Sequence, residues 1–256
     1  MGDSIRHRPR STAVLELEAR LSQLSNRQRR DFRLSNLYRL LSGFLLPGSV
    51  LDVGCGAGGF VEYLLRAGIE CGGIDVNETI VRSAKSHLEE CGLDSDVIRC
   101  VGIDEVVENG ERYENIVSMD CLEHVEDDLA MLRSLGRAAK KGGRMILTVP
   151  AVPALFGPHD RAVGHYRRYS REALRQLGRS AGGLRLERIR YWNLLGVPVV
   201  FGANLAKREV KAEFRYRQTG TLKRLLGAGL YYWFRWVENP MNPPIGLTLI
   251  AVFRKE

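Results

Sequence analysis

The chain has 256 residues, 45% of them hydrophobic and 27% charged. That is enough for one well-buried core, and the balance excludes a wholly disordered chain. With 38 Lys and Arg against 30 Asp and Glu the net charge is +8, which favours an anionic partner such as nucleic acid, a membrane surface or a phosphorylated substrate without selecting among them.

Residues 1–11 are polar and Arg-rich and read as a mobile tail. From residue 12 to 43 apolar residues recur at helical spacing (Val14, Leu17, Leu21, Leu24, then Leu34, Leu37, Leu41), which predicts two helices closed by the turn Pro47-Gly48. Strands and helices then alternate. Strands are predicted over 49–53, 71–75, 97–101, 116–120 and 144–149, with helices over 59–67, 78–91 and 129–139. Short apolar runs separated by amphipathic ones define a parallel sheet with crossover helices. Beyond Pro150 the pattern loosens, and 151–169 is expected to be a loop over the sheet edge. A helix over 171–181 opens at Ser170, and a strand follows over 184–191. An insertion spans 196–220, an aromatic-rich helix 215–236, and a last strand 247–253.

Five cysteines form no C-x-x-C pair and show no zinc-ligand spacing, as expected of reduced thiols in a cytoplasmic protein without a structural metal. The N-terminus lacks the apolar core of a signal peptide. The longest apolar stretch, 194–206, is broken by Pro198 and Asn204 and is too short to span a bilayer, so a soluble protein is expected.

The segment 50–60, VLDVGCGAGGF, carries the first chemical signal. Glycines after a buried strand let the backbone turn sharply and let a ligand approach the main chain, and the following helix offers free N–H groups to the same crevice. Gly54, Gly56 and Gly59 satisfy G-x-G-x-x-G, and Asp75 falls where an acid would hold ribose hydroxyls. These features suit a dinucleotide and S-adenosylmethionine alike. Asp52, two residues before the first glycine, would oppose a pyrophosphate but suits a ligand with cationic and amino-acid groups.

Three blocks, VLDVGCGAGGF with GIDVN (73–77), YENIVSMDCLEHVEDD (113–128) and KKGGRMILTVP (140–150), resemble the class I S-adenosylmethionine-dependent methyltransferases, specifically a bacterial small-molecule branch, over residues 33–190. The resemblance implies a doubly wound Rossmann-like α/β fold, with a mostly parallel seven-stranded sheet and helices on both faces. It implies S-adenosylmethionine as cofactor and S-adenosylhomocysteine as product. Asp52, Gly54, Gly56 and Gly58 would surround the methionine part, Asp75 would take the ribose, and Val76 and Asn77 would lie near adenine. Gly102, Ile103 and Asp104 resemble the glycine–acid motif at the adenine amino group, although Ile103 intervenes where many members carry the acid. Asp120 and Leu122 would lie by the reactive methyl. The chain is accordingly organised as an N-terminal helical extension (12–46), a cofactor-binding core (49–150) and a substrate side with a helical insertion (151–256).

Methyl transfer from a sulfonium is an in-line displacement, and a hydroxyl acceptor must also lose a proton. His124, just after the fourth strand, is one candidate base, and the alternative is that it packs and caps local backbone. The loop 158–170 offers His159 and His165 as further candidates, with Asp160, Tyr166, Arg168 and Tyr169 as substrate contacts. The structural alternative is that His165, Arg168 and Tyr169 tie the loop to the core. The expected acceptor is a small molecule, more readily methylated on oxygen, such as a natural product, sugar or lipid-linked glycan. The alternatives are a nucleic-acid methyltransferase, opposed by the absence of an N-P-P-Y-like tetrapeptide after the fourth strand, and an inactive cofactor binder. The aromatic run within 222–237 would contact a membrane peripherally, line a pocket, or pack on the sheet or at a dimer interface, the protein being a monomer or homodimer.

Overall fold

A computed structural model describes residues 31–206 and 221–256. The predicted tail, the first predicted helix and residues 207–220 of the insertion lie outside the described residues. In chain order, the first half comprises α1 (Phe32–Ser42), β1 (Val50–Val53), α2 (Gly59–Arg66), β2 (Cys71–Ile74), α3 (Glu78–Glu90), β3 (Ile98–Arg99), α4 (Ile103–Glu108), β4 (Tyr113–Met119) and α5 (Asp128–Ala138). Then come β5 (Ala139–Pro150), α6 (Pro158–Ala162), α7 (Arg171–Ala181), β6 (Leu184–Trp192), α8 (Gly196–Leu205), α9 (Thr221–Trp233) and β7 (Thr248–Lys255).

The seven strands form one sheet in the order β3-β2-β1-β4-β5-β7-β6. Pairing is parallel from β3 through β5, and β7 runs antiparallel to both β5 and β6. The expected doubly wound, mostly parallel fold is therefore present. Side chains alternate across each strand and feed two separate cores. Leu51, Ile116, Met145, Leu147 and Ala251 pack under α4, α5 and α7. Val50, Val117, Ile146 and Ile250 pack under α1, α2 and α3, together with Trp192 and Phe234. Burial on both faces explains why the central strands read as continuous apolar runs.

Local polar groups fix the helix ends. Asp31 caps α1 and Asn77 caps α3, each carboxylate or amide oxygen accepting from two backbone N–H groups. Asp127 and Ser170 cap α5 and α7. Strand β4 stops at Met119 because Asp120 takes a positive φ of 47°, which breaks the ladder.

Three expectations change. The stretch 151–169 is not only a loop: it contains a 3₁₀ turn at Pro153–Leu155 and helix α6. Pro153 and Pro158 pre-set the backbone for the first turn, and the Asp160 carboxylate reaches back to the Gly157 N–H at 2.9 Å. Helix α4 was not foreseen, being only six residues long. The strand expected over 97–101 shortens to two residues at the sheet edge, because Gly102 already caps α4.

β6 and β7 pair through Trp192 and Thr248, so the long hairpin connection between them leaves and re-enters the sheet at one point. Trp192 is fully buried and donates from its indole to Asn239 at 2.9 Å, which clamps the base of that connection. Truncation by Trp192→Ala is expected to cost about 3–5 kcal/mol, measured by urea denaturation of the full chain.

Candidate active site

The topological switch lies between β1 and β4, which pair in parallel while their connections depart to opposite sides. Ligands bind at the carboxyl ends of strands at such a point. The glycine turn sits there. Gly54, Gly56 and Gly58 all have positive φ, between 54° and 76°. A Cβ on Gly54 would meet Cys121 Sγ at 2.7 Å, whereas one on Gly56 would meet nothing within 4 Å and so faces open space. The first glycine permits close packing of the β1 and β4 ends. The second keeps the turn open to a ligand.

Beneath this turn Asp52 is wholly buried, and neither carboxylate oxygen has a hydrogen-bond partner. Desolvation, reinforced by the charge of Asp75, pushes its pKa up to about 7. A buried carboxylate without partners is costly unless something supplies them. This orphan fits a ligand that carries ammonium and sulfonium charge and conflicts with a pyrophosphate. Asp75, at the end of β2, accepts from the backbone N–H of Gly56 at 3.2 Å and of Asn77 at 2.9 Å. Val76 projects 79% exposed, and a Cβ on Gly102 would come within 3.8 Å of it. The structure therefore brings the β2 and β3 ends together around an exposed apolar side chain, which suits the face of a base. Ile103 is buried at the start of α4. The Asn77 side chain caps α3, and Asp104 turns to α5, accepting from Ser134 at 2.6 Å and Arg137 at 3.1 Å.

On the β4 side, Asp120 Oδ1 accepts from the Thr148 hydroxyl at 3.0 Å. A 3₁₀ turn at Leu122–His124 follows, with Leu122 buried in the core and His124 exposed. The His124 ring meets His165 edge-on, with centroids 4.6 Å apart. Desolvation and the neighbouring His165 lower the His124 pKa, which favours the neutral imidazole at neutral pH. Between the two histidines and the core lies Glu123, fully buried with both oxygens unpartnered. Burial, with Asp120 nearby, pushes its pKa up to about 9. The nearest cation-capable atom, His165 Nε2, is 3.8 Å away, beyond hydrogen-bond reach.

The loop residues have a different arrangement. Asp160 is 1% exposed and accepts from Gly157 N–H, from His165 Nδ1 at 3.0 Å and from Arg168 Nε at 2.8 Å. Burial alone would raise its pKa, but these donors hold it at about 2. Arg168 also donates to the Ala151 carbonyl. Tyr169 is buried and donates to Asp128 at 2.9 Å. Asp160, Arg168 and Tyr169 thus tie the loop to the sheet edge. Tyr166 is exposed, and its backbone N–H donates to the Glu123 carbonyl. His159 lies half-buried on α6. Sequence reasoning overlooked Glu123 and Thr148. Glu123 directly precedes the candidate base, which was the available signal, whereas Thr148 becomes a partner only through β4–β5 pairing.

A 3-2-1-4-5-7-6 sheet, an open glycine turn over an orphaned carboxylate, and an acid closing β2 define a class I S-adenosylmethionine-dependent methyltransferase. The model of the methyltransferase-domain family matches residues 25–186, and the chain belongs to that family. Over 95 residues, 37% of this chain and 38% of the relative, it is 39% identical to a ubiquinone biosynthesis O-methyltransferase of Methylobacterium sp. (strain 4-46). Over 149 residues, 54% of this chain and 63% of the relative, it is 28% identical to a protein of the same name from Coxiella burnetii (strain RSA 331). The chain therefore spans less than two thirds of the length of these curated relatives. The fold is shared with a solved S-adenosylmethionine-dependent methyltransferase from Archaeoglobus fulgidus, at 16% identity over 96% of this chain and all of that one, with a TM-score of 0.54.

The raised pKa of Asp52 has a signed consequence. The folded state holds its proton up to about pH 7, the unfolded chain only to about 4. The ligand-free protein therefore loses stability as pH rises between those values, and the loss is constant above. Asp52→Asn is expected to remove that slope, so the melting temperature of the ligand-free variant exceeds that of the wild type by more at pH 8 than at pH 4. Calorimetric titration of the same variant should show weaker S-adenosylmethionine binding.

Proposed function

We propose that this protein transfers the methyl group of S-adenosylmethionine to a hydroxyl oxygen of a small-molecule acceptor, with His124 as the base. The observation that carries the reading is His124 itself. It is an exposed, neutral imidazole at the carboxyl end of β4, beside the turn where the cofactor's methyl would lie. The similarity to proteins named as O-methyltransferases supports oxygen as the acceptor atom.

The bound cofactor supplies an electrophilic methyl on a sulfonium. In the assignment proposed here, Asp52 answers the positive charge of the amino-acid end, across the backbone of Gly54, Gly56 and Gly58. Asp75 receives the ribose hydroxyls, while Val76 and the Gly102–Ile103 backbone flank the base. Asp120 and Leu122 shape the wall next to the methyl. The role of His124 is to take the acceptor's proton as the carbon–oxygen bond forms. His165, held by Asp160, keeps the His124 ring in place and disfavours its protonation before an acceptor is bound. His159 and Tyr166 are left facing the acceptor side, and Asp160, Arg168 and Tyr169 support that side rather than touching the acceptor. Residues 49–150 form the cofactor half and 151–256 the acceptor half.

The test is release of S-adenosylhomocysteine with phenolic, sugar and amine acceptors. Turnover with hydroxyl acceptors is expected, and turnover with amines alone would overturn the reading. His124→Gln is expected to lower kcat by about 10²–10⁴-fold while leaving cofactor affinity unchanged. Because the His124 pKa is depressed, the acidic limb of the wild-type kcat/KM profile should fall below the ordinary histidine value of about 6.5 and vanish in the variant.

A further inference from the structure

We propose that α8 and α9, in the long hairpin connection between β6 and β7, dock the protein on an anionic lipid bilayer and lie in the membrane interface. The argument begins with α8. Its ten residues carry no charge, and Asn204 is the sole polar side chain among them. A helix that is apolar all round belongs in a core, yet Val200 alone is buried. Val199, Phe201 and Leu205 are 57%, 55% and 72% exposed. The one polar residue faces inward, Asn204 donating to the Leu155 carbonyl at 2.8 Å. This polarity is inverted relative to a helix packed on a water-soluble protein.

Helix α9 and the π-helical turn that continues it (Phe234–Glu238) repeat the pattern. Phe234 and Glu238 are buried, while Leu225, Leu226, Tyr232 and Trp236 are exposed. Among the described residues, eleven of the fourteen exposed large apolar side chains fall between Leu195 and Ile245. The other three, Val76, Val163 and Tyr166, lie in segments leaving the carboxyl ends of β2 and β5. Such concentration marks an interaction surface rather than the scattered apolar exposure of ordinary proteins.

Charge selects the occupant. In the described part of this segment, 193–206 and 221–247, the sequence holds Lys223, Arg224 and Arg235 against one acid, Glu238, which is buried. Glu238 is also engaged, accepting from Leu194 N–H and from the Trp233 indole. Arg235 lies over the Trp236 ring at 5.2 Å, a pairing of cation and amphipathic aromatic that suits the headgroup region. Apolar residues flanked by Lys and Arg are the composition of an interfacial anchor. The mode is lying on the bilayer and not crossing it. Helices of ten and thirteen residues are about 15–20 Å long against a hydrocarbon core of about 30 Å. Both helices belong to the segment between the carboxyl end of β6 and the start of β7, on the sheet edge that holds the glycine turn.

The experiment is co-sedimentation of the full chain with phosphatidylcholine vesicles and with vesicles that also contain phosphatidylglycerol, read together with tryptophan emission. Binding to the anionic vesicles, weakened by salt, with a blue shift is expected. Trp192 is buried already and Trp233 is half-buried with its indole bonded to Glu238, so the shift reports chiefly the exposed Trp236. The combined Phe201→Ser, Leu205→Ser and Trp236→Ser variant should partition at least about tenfold less, read by sedimentation. Arg224→Gln and Arg235→Gln should each weaken binding about fivefold without altering the fold read by circular dichroism. Wild-type protein that stays in solution with anionic vesicles at low salt would overturn the proposal. So would binding that both sets of variants leave intact. A dimer in analytical ultracentrifugation that the triple variant dissociates, with no vesicle binding, would assign the surface to a second copy of the chain instead.

Discussion

Everything at the site depends on the parallel pairing of β1 with β4. Two strands that point the same way end at the same edge, and their connections must leave in opposite directions. The gap that opens there is lined by whatever residues terminate the two strands. On one side that is the glycine turn, and on the other Asp120 and the Leu122–His124 turn. Gly54 allows the two ends to touch through Cys121. The crevice thus follows from backbone connectivity, and side chains determine only what it accepts.

Those side chains divide sharply by environment. Glu123 and His124 are neighbours in sequence but occupy opposite surroundings, one sealed in the core and held neutral, the other exposed. Asp52 and Asp160 are both buried carboxylates, yet one lacks every partner and the other has three. The difference separates a carboxylate that no protein group satisfies from one that fastens a loop. Buried ion pairs give modest net stability but penalise their own disruption heavily, which suits Asp160 and Arg168 to holding α6 and the following turn in one position.

Much of the cofactor half was legible in the sequence because its signals are local. Strand apolarity, glycine spacing and an acid at the end of β2 are written within a few residues of one another. The loop was less legible. Asp160, Arg168 and Tyr169 look like substrate ligands when read as polar residues in a histidine-bearing segment. Arg168 and Tyr169 instead reach Ala151 and Asp128, outside the loop, and Asp160 is sealed by partners within it, so their burial could not be read from spacing. Glu123 is the opposite case, since an acid beside a histidine is ordinarily solvated and nothing local signals that this one is sealed. Helix α4 escaped notice because six residues carry too little periodicity. The apolar run at 194–206 was seen, but whether a helix buries or displays such a run depends on its neighbours.

The pairing of Trp192 with Thr248 closes the β6–β7 connection at its base like a drawstring. The chain leaves the ladder and returns to it at that one rung, and its described residues are tied down again through Phe234 in the core, Asn204 on Leu155 and Asn239 on Asn36. Closing a longer loop costs only about 0.6 kcal/mol per doubling. Extending the connection would therefore leave the strand pairing as it is, so long as Phe234 and the carbonyls that receive Arg190 keep their places. Length can thus vary on this side of the sheet while the glycine turn keeps its place, because the two are joined through the core and not through the ladder.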